Sequence, residues 1–361
     1  MMIIVLITTR SGVFNWIANE LLKFTKGHPV KILCVLGLFT AITSSFLDNV
    51  TTVILVMPIT FVIAKTLELD PIPFLITEIV SSNIGGTATL IGDPPNIIIG
   101  SAGGLSFMDF IKELTPIIAI ILVAVIIVLS FIFKKKLHAN PEKMAEISNI
   151  DNSHTITDKS LMIRSTITLG LVILGFMTHD ITHISTCVAA MFGAAFLLVF
   201  EKPSEIFKEV EWNTIFFFVG LFIIIGGLEA TGGIRLMAEW IIKVTQGSQT
   251  ATSMLVLWAS GLISGIIDNI PYTATMAPML VEIQKTMGAT YTYPLWWALS
   301  LGACLGGNLT IIGAAANVIV SENARKEGHF ISFMEYLKYG TIVVLISLVL
   351  STVYIYARFL R

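Results

Sequence analysis

The sequence predicts an all-α polytopic membrane protein built as an inverted repeat, with two re-entrant helical hairpins and two broken transmembrane helices. Three observations support this prediction: an apolar composition, long apolar runs, and a pair of polar motifs that occurs twice. The chain of 361 residues is 55% apolar and 13% charged, with a mean hydropathy of +0.86. Soluble domains usually carry about 25% charged residues, so this composition excludes an ordinary soluble protein.

Long apolar runs provide the candidate spans. Residues 117–133 are apolar except for Ser130, and residues 342–357 contain only Ser, Thr and Tyr as polar members. Runs of this kind suit the hydrocarbon core of a bilayer, which is about 30 Å thick. The net charge of −2, without a basic patch, gives no reason to expect a nucleic-acid partner.

The repeated motif pairs an Asp-Asn with a glycine-rich helix breaker further along the chain. Asp48-Asn49 lies in the middle of an apolar run, and Asp268-Asn269 lies in another. Each pair is followed by a breaker of the form Gly-Gly-x-x-Thr-x-x-Gly-x-x-x-Asn, at residues 85–96 and 306–317. The apolar arms beside each Asp-Asn are too short to cross a bilayer alone, so we expect a hairpin with the Asp-Asn at its tip.

The repeat defines the organisation of the chain. We expect residues 1–133 to form the first repeat, 134–160 a linker, and 161–361 the second repeat with additional leading spans. Residues 12–27 match residues 233–247 at an offset of 220 or 221, which aligns Met1 with about Phe222. The first repeat is therefore expected to be N-terminally truncated, beginning part-way through a helix.

The orientation follows from the basic residues. Lys134–Lys136 directly follow a predicted span, which indicates the cytoplasmic side for the linker. The region 10–31, an interfacial helix and its flanks, carries four Lys or Arg, against two in its counterpart 229–249. This bias places the two interfacial helices on opposite sides and predicts an inverted repeat. Arg358 and Arg361 do not fit the scheme.

Further elements are predicted from the apolar pattern. The predicted unwound segment of the first breaker is Gly92 to Asn96, because two prolines remove backbone donors. The predicted spans and helices are Phe107–Phe133, Ile163–Met177, Ile184–Phe200, Trp212–Leu228, the interfacial Gly233–Gln246, the broken Leu295–Val320 and the last span Ile331–Ala357.

Polar groups at membrane depth are costly unless they are paired or functional. We therefore predict that the tips and breakers bind an ion or substrate through carboxylates, amides and backbone groups at helix ends. The predicted binding residues are Asp48, Asn49, Thr51, Thr87, Thr89, Asp93, Asn96, Asp268, Asn269, Thr273, Asn308, Thr310 and Asn317. The predicted backbone hinges are Gly85, Gly86, Gly92, Pro94, Pro95, Gly306, Gly307 and Gly313.

Structural alternatives accompany each of these interpretations. Asp and Asn are good helix N-caps, and paired glycines allow close helix packing. Glu78, within the helix before the first breaker, is either a proton carrier or a paired structural carboxylate. His179-Asp180-x-x-His183 has the spacing of a metal pair but falls at a short outer turn. No metal site and no catalytic residue is predicted.

At these motifs the chain resembles the ion transporter superfamily, and within it the arsenical-pump permease, P-protein and NhaD-type sodium/proton antiporter group. The resemblance rests on residues 47–52, 92–96 and 268–276. It implies a scaffold part and a moving transport part, a homodimer, and an elevator motion. In related dicarboxylate symporters, Ser and Thr stand where this chain has Asp48, Asp268 and Asp93, and the added carboxylates disfavour an anionic substrate.

The leading functional hypothesis is therefore a secondary active transporter of the inner or plasma membrane that exchanges Na⁺ for H⁺. No cofactor is expected apart from a coupling Na⁺ or H⁺, and the expected partners are a small inorganic ion and the lipid bilayer. The alternatives are efflux of arsenite or another inorganic anion, with an arsenite ATPase as partner, and transport of citrate-like carboxylates. An inactive truncated homologue is a further alternative. An enzyme is not expected, because no nucleophile–base pair, zinc signature or phosphate loop is present.

Overall fold

The computed structural model describes residues 1–140, 143–144, 155–178, 182, 184–210 and 212–361. These residues form helices joined by short turns, and no β-strand occurs among them. Four helices in this part of the chain are long and apolar enough to cross a membrane. They are Asn49–Leu67, Thr115–Lys136, Lys159–Met177 and Phe333–Phe359. This confirms the predicted all-α polytopic membrane fold.

The helices are numbered in chain order. The first half contains α1 (Met2–Arg10), α2 (Val13–Thr25), α3 (Pro29–Ser44), α4 (Asn49–Leu67), α5 (Ile72–Thr87), α6 (Pro94–Gly103), α7 (Phe107–Glu113) and α8 (Thr115–Phe133). The second half contains α9 (Lys159–Met177), α10 (Thr186–Leu198), α11 (Pro203–Glu209), α12 (Trp212–Ala230), α13 (Gly233–Val244), α14 (Gln249–Ile263), α15 (Asn269–Met287), α16 (Ala289–Gly306), α17 (Ala315–Lys326) and α18 (Phe333–Phe359).

Both Asp-Asn motifs form hairpin tips, as the sequence predicts. The first hairpin is α3 and α4, and both of its open ends approach the same short segment. Gly27, before α3, lies against the backbone of Met144, and Glu68, after α4, pairs with Lys143. Both ends of this hairpin therefore lie on one side, which is the arrangement of a re-entrant hairpin, although α4 alone is long and apolar enough to cross a membrane.

The second hairpin, α14 and α15, closes in the same way. The side chain of Gln249 donates to the carbonyl of Tyr291 at 3.0 Å, and Gly247 lies beside Met287. The second arms are longer than expected, with 19 residues each in α4 and α15. Each arm contains an internal proline, Pro58 in α4 and Pro278 in α15, and membrane helices tolerate proline where neighbouring groups satisfy the freed backbone.

The breakers differ from the sequence expectation in one respect. Pro94 and Pro95 do not unwind the helix; they occupy the first turn of α6, where a proline needs no amide donor. The unwound segment is residues 88–93, and Asn96 already lies in α6. In the second half, α16 ends at Gly306, a 3₁₀ turn covers Ile311–Gly313, and α17 begins at Ala315.

Other boundaries also change. The predicted span Phe107–Phe133 is divided at Leu114 into α7 and α8, and a capping box between Ser106 and Asp109 begins α7. The predicted span Ile184–Phe200 becomes α10, whose 13 residues are shorter than a bilayer-crossing helix. His179, Asp180 and His183 lie outside the described residues, as do residues 145–154 of the linker.

Interfacial helices leave the spans at sharp bends. The pair 215–230 and 233–244 is bent by 70°, so α13 does not continue the direction of α12. Gly232 stands at this bend with φ 77°, and Gly12 stands between α1 and α2 with φ 82°. Glycine adopts such angles without steric cost, so the two copies turn at matching positions.

Ion pairs show that the two halves are oppositely oriented. Lys136, after the end of α8, pairs with Glu335 at the start of α18. The end of α8 and the start of α18 therefore lie on the same side of the protein, the side of Met144 and Gly27. At the other end, Arg358 pairs with Glu113 through an Nε–Oε2 contact of 3.1 Å. Arg358 therefore has a local anionic partner on the side opposite the linker, which accounts for a basic residue that the sequence scheme left unexplained.

We predict that membrane-impermeant maleimide distinguishes the two sides. In a variant whose three native cysteines are replaced by serine, Lys65→Cys and Lys338→Cys should react from the linker side only. Lys285→Cys and Arg361→Cys should react from the other side only. Labelling of right-side-out and inverted vesicles provides the measurement, and labelling of Lys65→Cys and Lys285→Cys from the same side would contradict the arrangement.

Candidate functional site

The tip aspartates cap the second arms of the hairpins. Asp48 Oδ1 accepts a hydrogen bond from the Thr51 amide at 2.9 Å, and its Oδ2 accepts one from the Thr51 hydroxyl at 2.5 Å. Asp268 Oδ1 accepts from the Ile270 amide at 2.9 Å. Both tip aspartates therefore act as helix N-caps, which is the structural interpretation given above. Within the described part of the chain, Asp268 Oδ2 accepts no hydrogen bond, so this oxygen stays available.

Each break is held together by its asparagine. The Asn96 amide nitrogen donates to the carbonyls of Thr87 at 3.1 Å and Thr89 at 2.8 Å. The Asn317 amide nitrogen donates to the carbonyls of Gly307 at 2.7 Å and Thr310 at 2.9 Å. Unpaired carbonyls at membrane depth cost several kcal/mol, so these amides satisfy the unwound backbone. In this conformation they do not offer free donors to a ligand.

Threonines and serines attach each break to the hairpin tip of its own half. Thr89 donates to the Ser45 carbonyl, and Thr310 donates to the Gly265 carbonyl at 2.6 Å. Ser44 and Ser264 likewise donate to carbonyls of α5 and α16. The hydroxyl of Thr87 donates within its helix to the Asn83 carbonyl at 2.7 Å. Each tip and break therefore form one connected unit.

Glycines permit this close contact. A Cβ on Gly85 would lie 2.1 Å from the Ala41 carbonyl oxygen, and a Cβ on Gly306 would lie 2.4 Å from the Gly261 carbonyl oxygen. Backbone atoms do not move easily, so any larger residue would push the hairpin away from the break. The remaining predicted hinge glycines line the breaks themselves: Gly86 faces Gly92, and Gly307 faces Gly313.

The two halves meet at Asp93. The carboxylate is fully buried. Its Oδ1 accepts from the Asn49 amide nitrogen at 3.1 Å, and its Oδ2 accepts from the Asn269 amide nitrogen at 3.4 Å. Asn49 and Asn269 belong to different hairpin tips, so one carboxylate joins both tips at the centre of the protein.

Asn83 is a central residue that the sequence reasoning missed. Its Oδ1 accepts from Asn49 at 3.3 Å, and its Nδ2 donates to Asn308 Oδ1 and Asn317 Oδ1, both at 2.9 Å. The first tip is thereby connected to the second break. A signal was present in the sequence, since Ser81-Ser82-Asn83 is a polar run inside an apolar helix.

Two predicted residues carry buried polar atoms without a partner among the described residues. They are the Thr273 hydroxyl and the Asn308 amide nitrogen, and both residues are fully buried. Buried groups of this kind cost about 1–3 kcal/mol each. Such groups are available to bind a ligand or water.

A cavity of about 670 Å³ lies between the hairpin tips. Its polar lining comes from Asp48, Asn49, Asp268 and Asn269, and Pro94 and Ala315 at the starts of α6 and α17 also line it. The rest of the lining is mainly aliphatic and aromatic, and includes Phe217 and Phe218 of α12. The cavity therefore presents two carboxylates and two amides in an otherwise apolar space.

No cluster of metal-ligating side chains occurs in the described part of the chain. Of the three cysteines, Cys304 is buried beside Asn96, with Sγ 3.5 Å from Asn96 Oδ1, and Ser300 donates to the same oxygen at 2.6 Å. Cys304 and Ser300 therefore add a second connection between the halves, through α16 and α6.

Asn83→Ala is expected to lower the free energy of unfolding by about 1–3 kcal/mol for each carbonyl that loses its donor. Thermal unfolding in detergent measures this loss. Cys304→Ala is the matched control, because Cys304 occupies the equivalent position in the second half and its thiol is a weak hydrogen-bond donor, 3.5 Å from Asn96 Oδ1. An equal change in both variants would show that Asn83 does not hold the halves together.

Comparison with known proteins agrees with the transporter interpretation. The chain matches the citrate transporter family over residues 1–302. An uncharacterized transporter of Mycobacterium tuberculosis (strain ATCC 25618 / H37Rv) is 42% identical over 362 residues, covering 99% of this chain and 84% of that protein. The 46 kDa membrane protein of Mycobacterium leprae (strain TN) is 42% identical over 363 residues, covering 100% of this chain and 85% of that protein.

A mammalian relative is more distant. The P protein of Mus musculus is 31% identical over 435 residues, covering 98% of this chain and 52% of that protein. This relative confirms the resemblance to the P-protein group that the motifs indicate. Together with the multi-pass fold, these matches show that the chain belongs to the citrate transporter family and is a membrane transporter.

Proposed function

We propose that this transporter exchanges Na⁺ for H⁺ across the membrane by alternating access. The observation that carries the proposal is the position of Asp93, a fully buried carboxylate that receives one amide from each hairpin tip. A substrate carboxylate bound between the tips would need these same amide donors. In this chain the protein's own carboxylate already occupies them.

The charges around the cavity favour a cation. Asp48 and Asp268 line the cavity, and Asp93 lies directly behind the tip asparagines. Among the described residues, no lysine or arginine side chain lines this cavity, and the α-amino group of Met1, which interacts with Asp48, is the cationic group of the lining. Charges interact strongly at low dielectric, so this arrangement attracts a cation or a proton and repels an anion.

Suitable oxygen ligands are present. Asp268 Oδ2 accepts no hydrogen bond, and Asn49 and Asn269 use their amide nitrogens on Asp93, which leaves their side-chain oxygens without donors among the described residues. Carboxylate and carbonyl oxygens at helix ends coordinate Na⁺ in other transporters with discontinuous helices. Release of a proton by the protein as Na⁺ binds would couple the two fluxes.

The hydrogen bonds within and between the halves support a movement of the tips and breaks as one body. Thr89 and Thr310 attach each break to its tip, and Asn83 attaches the first tip to the second break. A rigid displacement of this unit against the remaining helices would carry the ion without opening the breaks. The proposed homodimer would anchor those remaining helices.

Citrate transport is the second candidate, since the family is named for citrate. It requires the cavity to accept an anion beside Asp48 and Asp268, and hence a bound cation that reverses the local charge. Arsenite efflux remains a third possibility, because a neutral oxyacid avoids this repulsion. We propose transport alone, without an enzymatic activity.

Asp93→Asn is expected to reduce Na⁺/H⁺ exchange to the level of empty liposomes, because it removes the central carboxyl group while retaining the shape. Purified protein in proteoliposomes, with a pH-sensitive dye inside, measures exchange on addition of Na⁺, citrate or arsenite. Glu322→Gln, an exposed carboxylate on α17, is the control and should retain exchange. Citrate- or arsenite-driven signals without a Na⁺ signal in the unsubstituted protein would contradict the proposal and identify the alternative.

A further inference from the structure

Glu78 is a second fully buried carboxyl group, outside the site described above. It lies in α5, and its Oε1 accepts a hydrogen bond from the Thr60 hydroxyl of α4. Its other oxygen, Oε2, has no partner among the described residues. No salt bridge involves Glu78 in this part of the chain, so the alternative of a paired structural carboxylate is not supported.

The surrounding helices offer no counter-charge. The helices in contact with α5 are α3, α4, α8, α16, α17 and α18. The basic residues of these helices on the linker side, where α5 begins, are exposed at the helix ends. They are Lys31, Lys65, Arg325, Lys326 and Lys338. The acidic Glu322 and Glu335 lie at the same helix ends. Among the uncharged titratable groups on this side, Cys34 is half-buried on α3 and Tyr336 is buried on α18, whereas α8 has no titratable residue. An ionised carboxylate in this position is costly, and Glu78 is therefore held as the neutral acid.

The fold itself does not require Glu78 or Thr60. At the repeat offset, Thr60 corresponds to Leu280 and Glu78 corresponds to Leu299. Leu280 and Leu299 are fully buried, so the second half fills the equivalent position with an apolar pair. A polar pair that one copy retains and the other replaces by leucines indicates a function particular to the first half.

The position of Glu78 connects the site to one side of the membrane. Glu78 lies six residues into α5, or about 9 Å from its start at 1.5 Å per residue. That start follows Glu68, which pairs with Lys143 on the linker side. In the other direction, Thr87 at the break lies nine residues away, about 13 Å along the helix.

Polar groups occupy the interval between Glu78 and the tip. The hydroxyls of Ser81 and Thr52 are buried and have no partner among the described residues. Ser82 donates to the Asn49 carbonyl at 3.1 Å, and Asn49 donates to Asp93. Buried polar groups of α4 and α5 therefore occur at intervals between Glu78 and the ion site.

We propose that Glu78 is a separate proton-binding site that carries the coupling proton of transport. In the conformation open to the linker side, its carboxylate takes one H⁺ from water and becomes the neutral acid. In the conformation open to the opposite side, it releases that proton to water as Na⁺ binds at the cavity, so one H⁺ crosses the membrane. This inference deepens the proposed function and rests on it, because a coupling proton requires proton-coupled transport.

The first test uses a variant copied from the second half. Thr60→Leu with Glu78→Leu should fold with a thermal midpoint at or above that of the unsubstituted protein, because replacing both members of a buried polar pair by apolar groups is near neutral or stabilising. In proteoliposomes the double variant should still bind Na⁺, seen as thermal stabilisation by Na⁺ over K⁺. Its Na⁺ flux should no longer move protons or depend on pH.

Matched controls separate this role from packing. Glu68→Gln is an exposed carboxylate on the linker side and should retain pH-dependent exchange. Thr60→Val alone removes the donor to Glu78 and should shift the pH profile towards alkaline values, because the hydroxyl stabilises the ionised form. Thr66→Val, half-buried near the end of the same helix, should leave the profile unchanged.

Infrared spectroscopy gives a readout that does not depend on transport. The unsubstituted protein should show a protonated carboxylic acid band that is lost in Glu78→Gln. Unchanged pH-dependent exchange and an unchanged infrared band in the Glu78 variants would overturn the Glu78 assignment while leaving the proposed function intact. Absence of any proton-coupled flux in the unsubstituted protein would overturn both.

Discussion

The interruption of two helices at membrane depth is the constraint on which the rest of this structure depends. Lipid cannot satisfy the carbonyl groups of an unwound segment, and in each half one asparagine does so. Asn96 binds two carbonyls of the first break, and Asn317 binds two of the second. With the breaks fixed, the threonines can attach the hairpin tips, and the tips can bring Asn49 and Asn269 to Asp93.

The two halves share this framework but differ in charge. Asp93, Glu78 and Asn83 all belong to the first half, and their counterparts in the second are Ala314, Leu299 and Cys304. The duplicated fold therefore supplies the hairpins, the breaks and the cavity, whereas one copy supplies the buried acids. This separation explains how a symmetric architecture can hold an asymmetric ion site, because an additional buried carboxylate without a counter-charge would be costly.

Local patterns predicted the architecture because each pattern lies within a few consecutive residues of the sequence. The Asp-Asn pairs predict turns, the glycine breakers predict helix interruptions, and the basic run after α8 predicts a side of the membrane. The prediction that the prolines unwind the helix was wrong, because Pro94 and Pro95 begin α6. Asn83 could not be placed, because its partners Asn308 and Asn317 are 225 and 234 residues away in the sequence. The sequence leaves Glu78 ambiguous, because its lack of an ion pair among the described residues and the burial of the equivalent leucines both depend on the fold.

The most direct measurement of the central claim is proton release when Na⁺ binds. Purified protein in weakly buffered detergent solution, with a pH indicator, is titrated with NaCl and, in parallel, with KCl and with citrate. If buried carboxylates exchange H⁺ for Na⁺, NaCl should release protons in a saturable manner and KCl should not. Proton uptake with citrate and none released with Na⁺ would contradict a cation site at Asp93.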